Sequence, residues 1–192
     1  VRKALSELKQ RGFVKKSNGK GTIVIEPDDT KLHQLALNSG YVEKALRYLH
    51  ALQLMVLIIR PAALAAAARF TREELDELTD RFTSPGSVYL ADIQEAVLKH
   101  TTLEPLYVIL SETNHLLEWG HHFAYYPSKR HTLSHLNKKA ITALRQLYEG
   151  NASSFADGMA DCYRYILICM KKNMVEKYKF HNVANIRVPE KY

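Results

Sequence analysis

Seven cations crowd the first twenty residues: Arg2, Lys3, Lys9, Arg11, Lys15, Lys16 and Lys20, opposed by Glu7 alone. That leaves +6 of the chain's net +7 at one end, so the remaining residues form a near-neutral body. Cations at this density pair with phosphates, and their confinement to one end points to DNA rather than to a general membrane or polyanion surface. A second constellation is His131 and His135, whose i, i+4 spacing on a helix is a metal-ligand spacing. No carboxylate stands at a recognised interval from them. The set His121, His122, His131 and His135 therefore reads first as a surface or loop feature. No nucleophile–base set, phosphate loop or HExxH motif accompanies these residues. The sequence thus predicts a binding protein rather than an enzyme, with no metal and no cofactor.

The elements that position these groups must come from 192 residues, of which 46% are hydrophobic. That is enough for one ordinary domain core and a smaller appendage. Eight Gly and six Pro, with no biased tract, argue against disorder. Two cysteines, Cys162 and Cys169, make no disulfide framework, and on a single helix they would stand about 10 Å apart, too far to bond. A reducing compartment, hence the cytoplasm, is the expected setting. The longest apolar run, Leu52 to Ile59 broken by Gln53, is shorter than the roughly 20 residues of a membrane span, so no membrane partner is expected. The opening VRKALSELKQ has no signal-peptide character. It begins inside a periodic helix without a cap, which predicts that further residues precede Val1.

Val1, Leu5 and Leu8 share one helical face, and Gly12 supplies a stop just past a basic last turn. Phe13 to Lys16 and Thr22 to Ile25 are β-prone runs joined by Ser17-Asn18-Gly19-Lys20-Gly21, where Asn and Gly tolerate the positive φ of a hairpin. Glu26 to Thr30, with Pro27, is a polar break and the best domain boundary. Beyond it the pattern is helical. Residues 41–59 carry an apolar face, and Pro61 marks a kink or a fresh helix start before the Ala-rich stretch 62–68. Thr71-Arg72-Glu73-Glu74 is a capping box opening a helix over 72–82. Ser84-Pro85-Gly86 is a loop. Further helices are predicted over 87–101, 104–119, 128–149 and 152–176, and the tail from His181 has no clear period. The fold class is mainly α: a small basic helix-and-hairpin piece, then an all-helical bundle of about six helices.

A helix followed at once by a basic-tipped hairpin is the back half of a winged helix-turn-helix, whose helix enters a major groove while the tip approaches phosphates or the minor groove. The run V-R-K-A-L-S-E-L-K-Q-R-G-F-V-K-K-S-N-G-K-G-T-I-V resembles the end of the GntR-family DNA-binding domain, V-R-E-A-L-x-x-L-x-x-x-G-L-V followed by a wing ending G-x-G-T-x-V. The resemblance covers some 24 residues. It implies DNA contacts from Arg2 and Lys3 on the helix and from Asn18, Gly19 and Lys20 at the wing tip. It also implies that the first two helices of the winged domain precede Val1, so that the chain as it stands binds DNA poorly.

The helical part is similar to the FadR branch of that family. Ala66 to Thr71 followed by Leu75 resembles A-A-x-R-x-T-x-x-x-L, and Ser134 to Ile141 resembles S-x-x-E-H-x-x-I. Many members of the branch hold a divalent metal with one Asp and three His. Here the corresponding positions carry Ala91 (with Asp92 adjacent), Glu95 and Lys138, and the last falls near Asp161 or Cys162. A protonated Lys cannot ligate, so an intact metal site is not expected. Instead Glu95 and Lys138 are expected to face one pocket and to pair with each other or with a ligand. The branch's fatty-acid regulators bind acyl-CoA, and by that resemblance Met159, Tyr163 and Leu167 face the ligand. The stripe Met159, Tyr163, Ile166, Met170 has equally the spacing of ordinary core. Arg60 lies one turn after Val56, where the family has an arginine. It either supplies a cation for an anionic effector or snorkels to solvent from the helix.

The organisation expected is a partial winged domain over residues 1–26, a linker over 27–40, an effector-binding and dimerising helical domain over 41–176, and a tail over 177–192. The function expected is an effector-responsive bacterial transcription regulator, a homodimer on a double-stranded DNA operator. Its effector is a fatty acid or acyl-CoA, with a small carboxylate as the alternative. Effector binding would tilt the winged parts through the linker near Pro27. An all-helical enzyme is the competing class, with Glu95 and Lys138 as a thin basis for catalysis.

Overall fold

The computed structural model describes residues 2–10, 13–17, 19, 21–25, 41–81, 89–122, 130–176 and 179–190. These form seven α-helices, one antiparallel hairpin and a final 3₁₀ turn. Helix α1 spans Arg2–Gln10, strand β1 Val14–Ser17 and strand β2 Gly21–Val24. The helices after residue 40 are α2 (Tyr41–Ala67), α3 (Arg72–Arg81), α4 (Tyr89–His100), α5 (Glu104–His122), α6 (Arg130–Tyr148) and α7 (Ala152–Glu176), and the 3₁₀ turn is His181–Val183.

The front element follows from its sequence. Strands β1 and β2 pair with Val14 opposite Val24 and Ser17 opposite Gly21. Gly19 at φ 76° and Gly21 at φ 75° supply the left-handed backbone that the turn needs. Helix α1 is joined to β1 by the bond from the Phe13 N–H to the Leu8 carbonyl, 2.9 Å. Helix α1 packs on β1, where Val14 is buried.

In the helical body α2 is the central element, packed against α7, α5 and α4. Its inner face runs Ala45, Leu49, Leu52, Met55, Val56, Ile59, Ala63 and Ala66, all essentially inaccessible. Of the two expectations for Pro61, a fresh helix start does not occur: α2 continues through it to Ala67. The proline takes the Leu57 carbonyl's i+4 donor away, but both residues sit on the exposed side, where the helix interior is not disturbed. Glu43–Ala67 is long and apolar enough to cross a membrane by length and composition, although its longest apolar run is short, and half of that window is buried among the other helices.

Two sequence signals fix the body's corners. The Glu74 N–H donates to Thr71 Oγ1 at 3.2 Å and the Thr71 N–H donates to Glu74 Oε2 at 3.1 Å, the reciprocal capping box that starts α3. Gly150, at φ 82°, ends α6: its N–H bonds to the Leu147 carbonyl and that of Asn151 to the Gln146 carbonyl, a Schellman closure. Asn151 Oδ1 then accepts from the Ser154 N–H and caps α7. Across this corner α6 and α7 come into close contact, since a Cβ on Gly158 would lie 2.7 Å from the Ala143 Cβ. The linker expected over residues 27–40 and the loop at 84–86 lie outside the described residues.

The tail is ordered over 179–190. Phe180, Val183 and Ile186 are buried against the bundle. Side chains from distant helices hold its carbonyls: Gln53 donates to Arg187 O and Lys171 to Ile186 O, each at 2.6 Å, and Arg164 donates to Pro189 O and Glu190 O at 3.0 and 3.1 Å.

Candidate functional site

The basic front presents its cations outward. Arg2, Lys3 and Lys9 are exposed on α1, and Lys15 and Lys16 are exposed at successive positions of β1. Successive strand side chains point to opposite faces, so these two cations project on either side of the hairpin. Gly19, exposed at the tip, lets the backbone approach a neighbouring surface without a side chain in between. Asn18, Lys20 and Arg11 lie outside the described residues. On α1, Leu5 and Leu8 are 38% and 40% exposed, so the apolar stripe of this helix is uncovered. The arrangement can neutralise phosphates along a helix and a hairpin with almost no opposing charge.

In the helical body the expected ligand residues separate into three groups. Met159, Tyr163 and Leu167 are buried in the core on the inner face of α7, at the spacing expected for either a ligand wall or packing. Glu95 and Lys138 are both exposed, on α4 and α6, and among the described residues no ion pair joins them. Each projects from the solvent side of its helix, while Ile93, Gln94, Val97 and Leu136, Ala140 take the inner sides. Arg60 belongs to neither group. Its Nε donates to Asp157 Oδ1 at 2.6 Å, a partly exposed ion pair between α2 and α7.

The positions expected to have lost their metal ligands are scattered. Ala91 is exposed, Asp92 half-buried, Asp161 is paired with Arg164, and Cys162 is fully buried. Burial pushes the Cys162 thiol up to about 12, so it is an inert core group rather than a thiolate ligand. His135 is exposed and its ring lies 4.9 Å from that of Tyr165. Among the described residues no group of three His, Cys, Asp or Glu side chains is placed to hold a metal. The side chains of His121, His122 and His131 are outside what is described.

Two features were not legible in the residue pattern. The Tyr163 hydroxyl donates to Gln94 Oε1 inside the core, between α7 and α4. Gln94 is a polar residue at a helix position that periodicity assigns to the core, and that mismatch was the available signal. The second feature is the capping Glu74, which also receives Lys99 Nζ at 2.8 Å and lies 2.9 Å from His100 Nε2. Lys99 above all, then the Thr71 N–H and His100, hold its carboxyl at about 2 instead of 4.5, and Glu74 in turn raises Lys99. Phe70 stands 4.7 Å from the His100 ring and meets Phe155 edge-on, which anchors this cluster to the core. The pairing of residues 25 and 26 positions apart is tertiary, and only the capping box was visible in sequence.

Comparison with family models, with curated proteins and with solved structures returns no match to this chain.

Proposed function

We propose that the chain is a DNA-binding transcription regulator whose front helix and hairpin contact duplex DNA and whose helical body responds to a small effector. The observation that carries this reading is the basic front: five described cations, all exposed, three on a helix and two on the antiparallel hairpin that follows it, with glycine at the hairpin tip. The order of elements and the residues that form them agree with the resemblance to the GntR winged domain. The uncovered Leu5 and Leu8 stripe on α1 is also of the kind that the other helices of a winged domain pack against. In this reading Arg2 and Lys3 serve the groove side, and Gly19 with its neighbours Asn18 and Lys20 serves the wing.

The effector proposed is a fatty acid or acyl-CoA bound by the body, with a small carboxylate second. Support comes from one polar pair set in apolar surroundings, Tyr163 with Gln94, flanked along α7 by Met159 and Leu167. A ligand head group that replaced one half of this pair would sit beside an aliphatic wall. Arg60 would reach an anion only in competition with Asp157. Native mass spectrometry of the purified chain tests this part, and a retained fatty acid or acyl-CoA is the expected result. A body that carries and takes up neither class of acid contradicts it.

The DNA part is tested by fluorescence anisotropy on a labelled duplex. The chain is expected to bind weakly, and Lys15→Glu with Lys16→Glu to abolish the signal while circular dichroism stays unchanged. Equal binding by both proteins would contradict the assignment.

A further inference from the structure

The tail crosses the outside of the seam between α2 and α7. It runs antiparallel to α7: the Phe180 N–H bonds to the Met174 carbonyl at 2.9 Å, the Ile186 carbonyl meets Lys171, and the Pro189 and Glu190 carbonyls meet Arg164. Gln53 of α2 grips the Arg187 carbonyl from the other side of the seam. Arg164, Leu167 and Lys171 stand at i, i+3 and i+7 on α7 and share one face, so the tail passes across the turn that carries the fully buried Leu167. The tail's own buried residues, Phe180, Val183 and Ile186, recur at every third position, following the 3₁₀ turn His181–Val183. Bonds from the Val183, Ala184 and Ile186 N–H groups to the carbonyls three residues back, at 3.1–3.2 Å, keep this backbone satisfied within the tail itself.

We propose that residues 180–190 are a strap that releases from the α2–α7 seam as one piece while the helices stay folded, and that its release is the entry route of an apolar ligand to the core at Leu167. The second half rests on the effector reading above, and the first half does not. Three features favour release. Among the described residues no backbone pairing joins 181–190 to the bundle, and the ties are long side chains donating to carbonyls. The bend into the strap is carried by Lys179 at φ 57°, a left-handed conformation that strains a residue with a β-carbon and relaxes when the strap lifts. Beneath the strap α2 and α7 pack directly on each other, so its departure leaves them in contact. Closed, the strap shields the seam with Phe180, Val183 and Ile186. Open, it leaves an apolar strip on which an acyl chain restores the contacts those three side chains give up, and so favours the open state.

Amide hydrogen exchange followed by NMR on the whole chain tests the release. The bonded amides of Val183, Ala184 and Ile186 are expected to share one protection factor and to exchange roughly 100-fold or more faster than the inner amides of α2 and α7. Lys179→Gly removes the strain of the closed bend and is expected to slow exchange of the strap roughly fivefold while α2 and α7 are unchanged. Exchange of the strap together with α2 and α7, or exchange graded from residue 190 inward, overturns the strap. The route is tested by locking it. Gln53→Cys with Arg187→Cys, in a Cys169→Ser chain, is bridged by a short bis-methanethiosulfonate linker across the gap that the Gln53 amide already spans. Stopped-flow fluorescence of cis-parinaric acid is expected to show uptake roughly tenfold or more slower in the bridged chain than in the same chain after reductant cleaves the bridge. Equal rates overturn the route. No uptake in either form contradicts the effector reading and the route with it, and the exchange result then decides the strap alone.

Discussion

Arg60 Nε donates to Asp157 Oδ1 at 2.6 Å, joining α2 to α7 across 97 residues of sequence. The pair is a tie on the flank of the bundle rather than a cation waiting in its interior. Its side chains are 31% and 55% exposed, so water screens it and its contribution is small. Arg60→Ala and Asp157→Ala are each expected to cost about 0.5–1 kcal/mol in urea unfolding, with a coupling energy below about 1 kcal/mol in the double-mutant cycle.

Gly158→Ala is expected to destabilise although alanine favours helix. The propensity gain is about 1 kcal/mol. The new methyl, however, would meet the Ala143 Cβ at 2.7 Å and its Cα at 3.3 Å, and neither atom can rotate away. Forcing α6 and α7 apart costs about 1–3 kcal/mol, so a net loss remains and the melting midpoint falls by several degrees. Ala143→Gly in the same chain should recover part of the loss by opening the space.

Tyr163→Phe removes the hydroxyl that donates to Gln94 Oε1 within the core. Gln94 then keeps its polar amide in apolar surroundings with one donor fewer, at a cost of about 1–3 kcal/mol. Adding Gln94→Leu removes the polar partner as well and should return part of that stability. Urea midpoints of the two variants against wild type measure both steps.

Glu74 gives the stability a specific acid dependence. Its carboxyl sits at about 2 in the fold against an ordinary 4.5. The folded state therefore prefers the carboxylate, and the stabilisation is complete above pH 4.5. It is lost as pH falls from about 4.5 toward 2, because the unfolded chain takes up the proton first. Glu74→Gln is expected to remove this part of the acid dependence. The difference in urea midpoint between wild type and variant should shrink steadily over that window and be level above it.

Most of the helical scaffold was legible before any coordinates, for identifiable reasons. The capping box at Thr71 and Glu74 is a local signal, and the helices over 72–81, 130–148 and 152–176 run close to the residues expected. The hairpin was legible because its glycines carry the positive φ themselves. What escaped depends on partners far along the chain. Pro61 lies within a helix because tertiary packing secures the inner face on either side of it. Phe180, Val183 and Ile186 have no helical or strand period, and they are held down by donors from Gln53, Arg164 and Lys171. Glu95 and Lys138 follow from a family pattern, and the helix rotation that faces them to solvent is set by Ile93, Val97, Leu136 and Ala140.

The salt dependence of duplex binding measures the proposed contact between the basic front of this chain and DNA phosphates. Each phosphate neutralised contributes a slope of about −0.9 in a plot of log K against log salt. A negative slope of several such increments is expected for wild type. A slope reduced by about two increments, with weaker binding at every salt concentration, is expected for Lys15→Ala with Lys16→Ala. A duplex affinity that does not change with salt, or a slope untouched by removing both lysines, would contradict that contact.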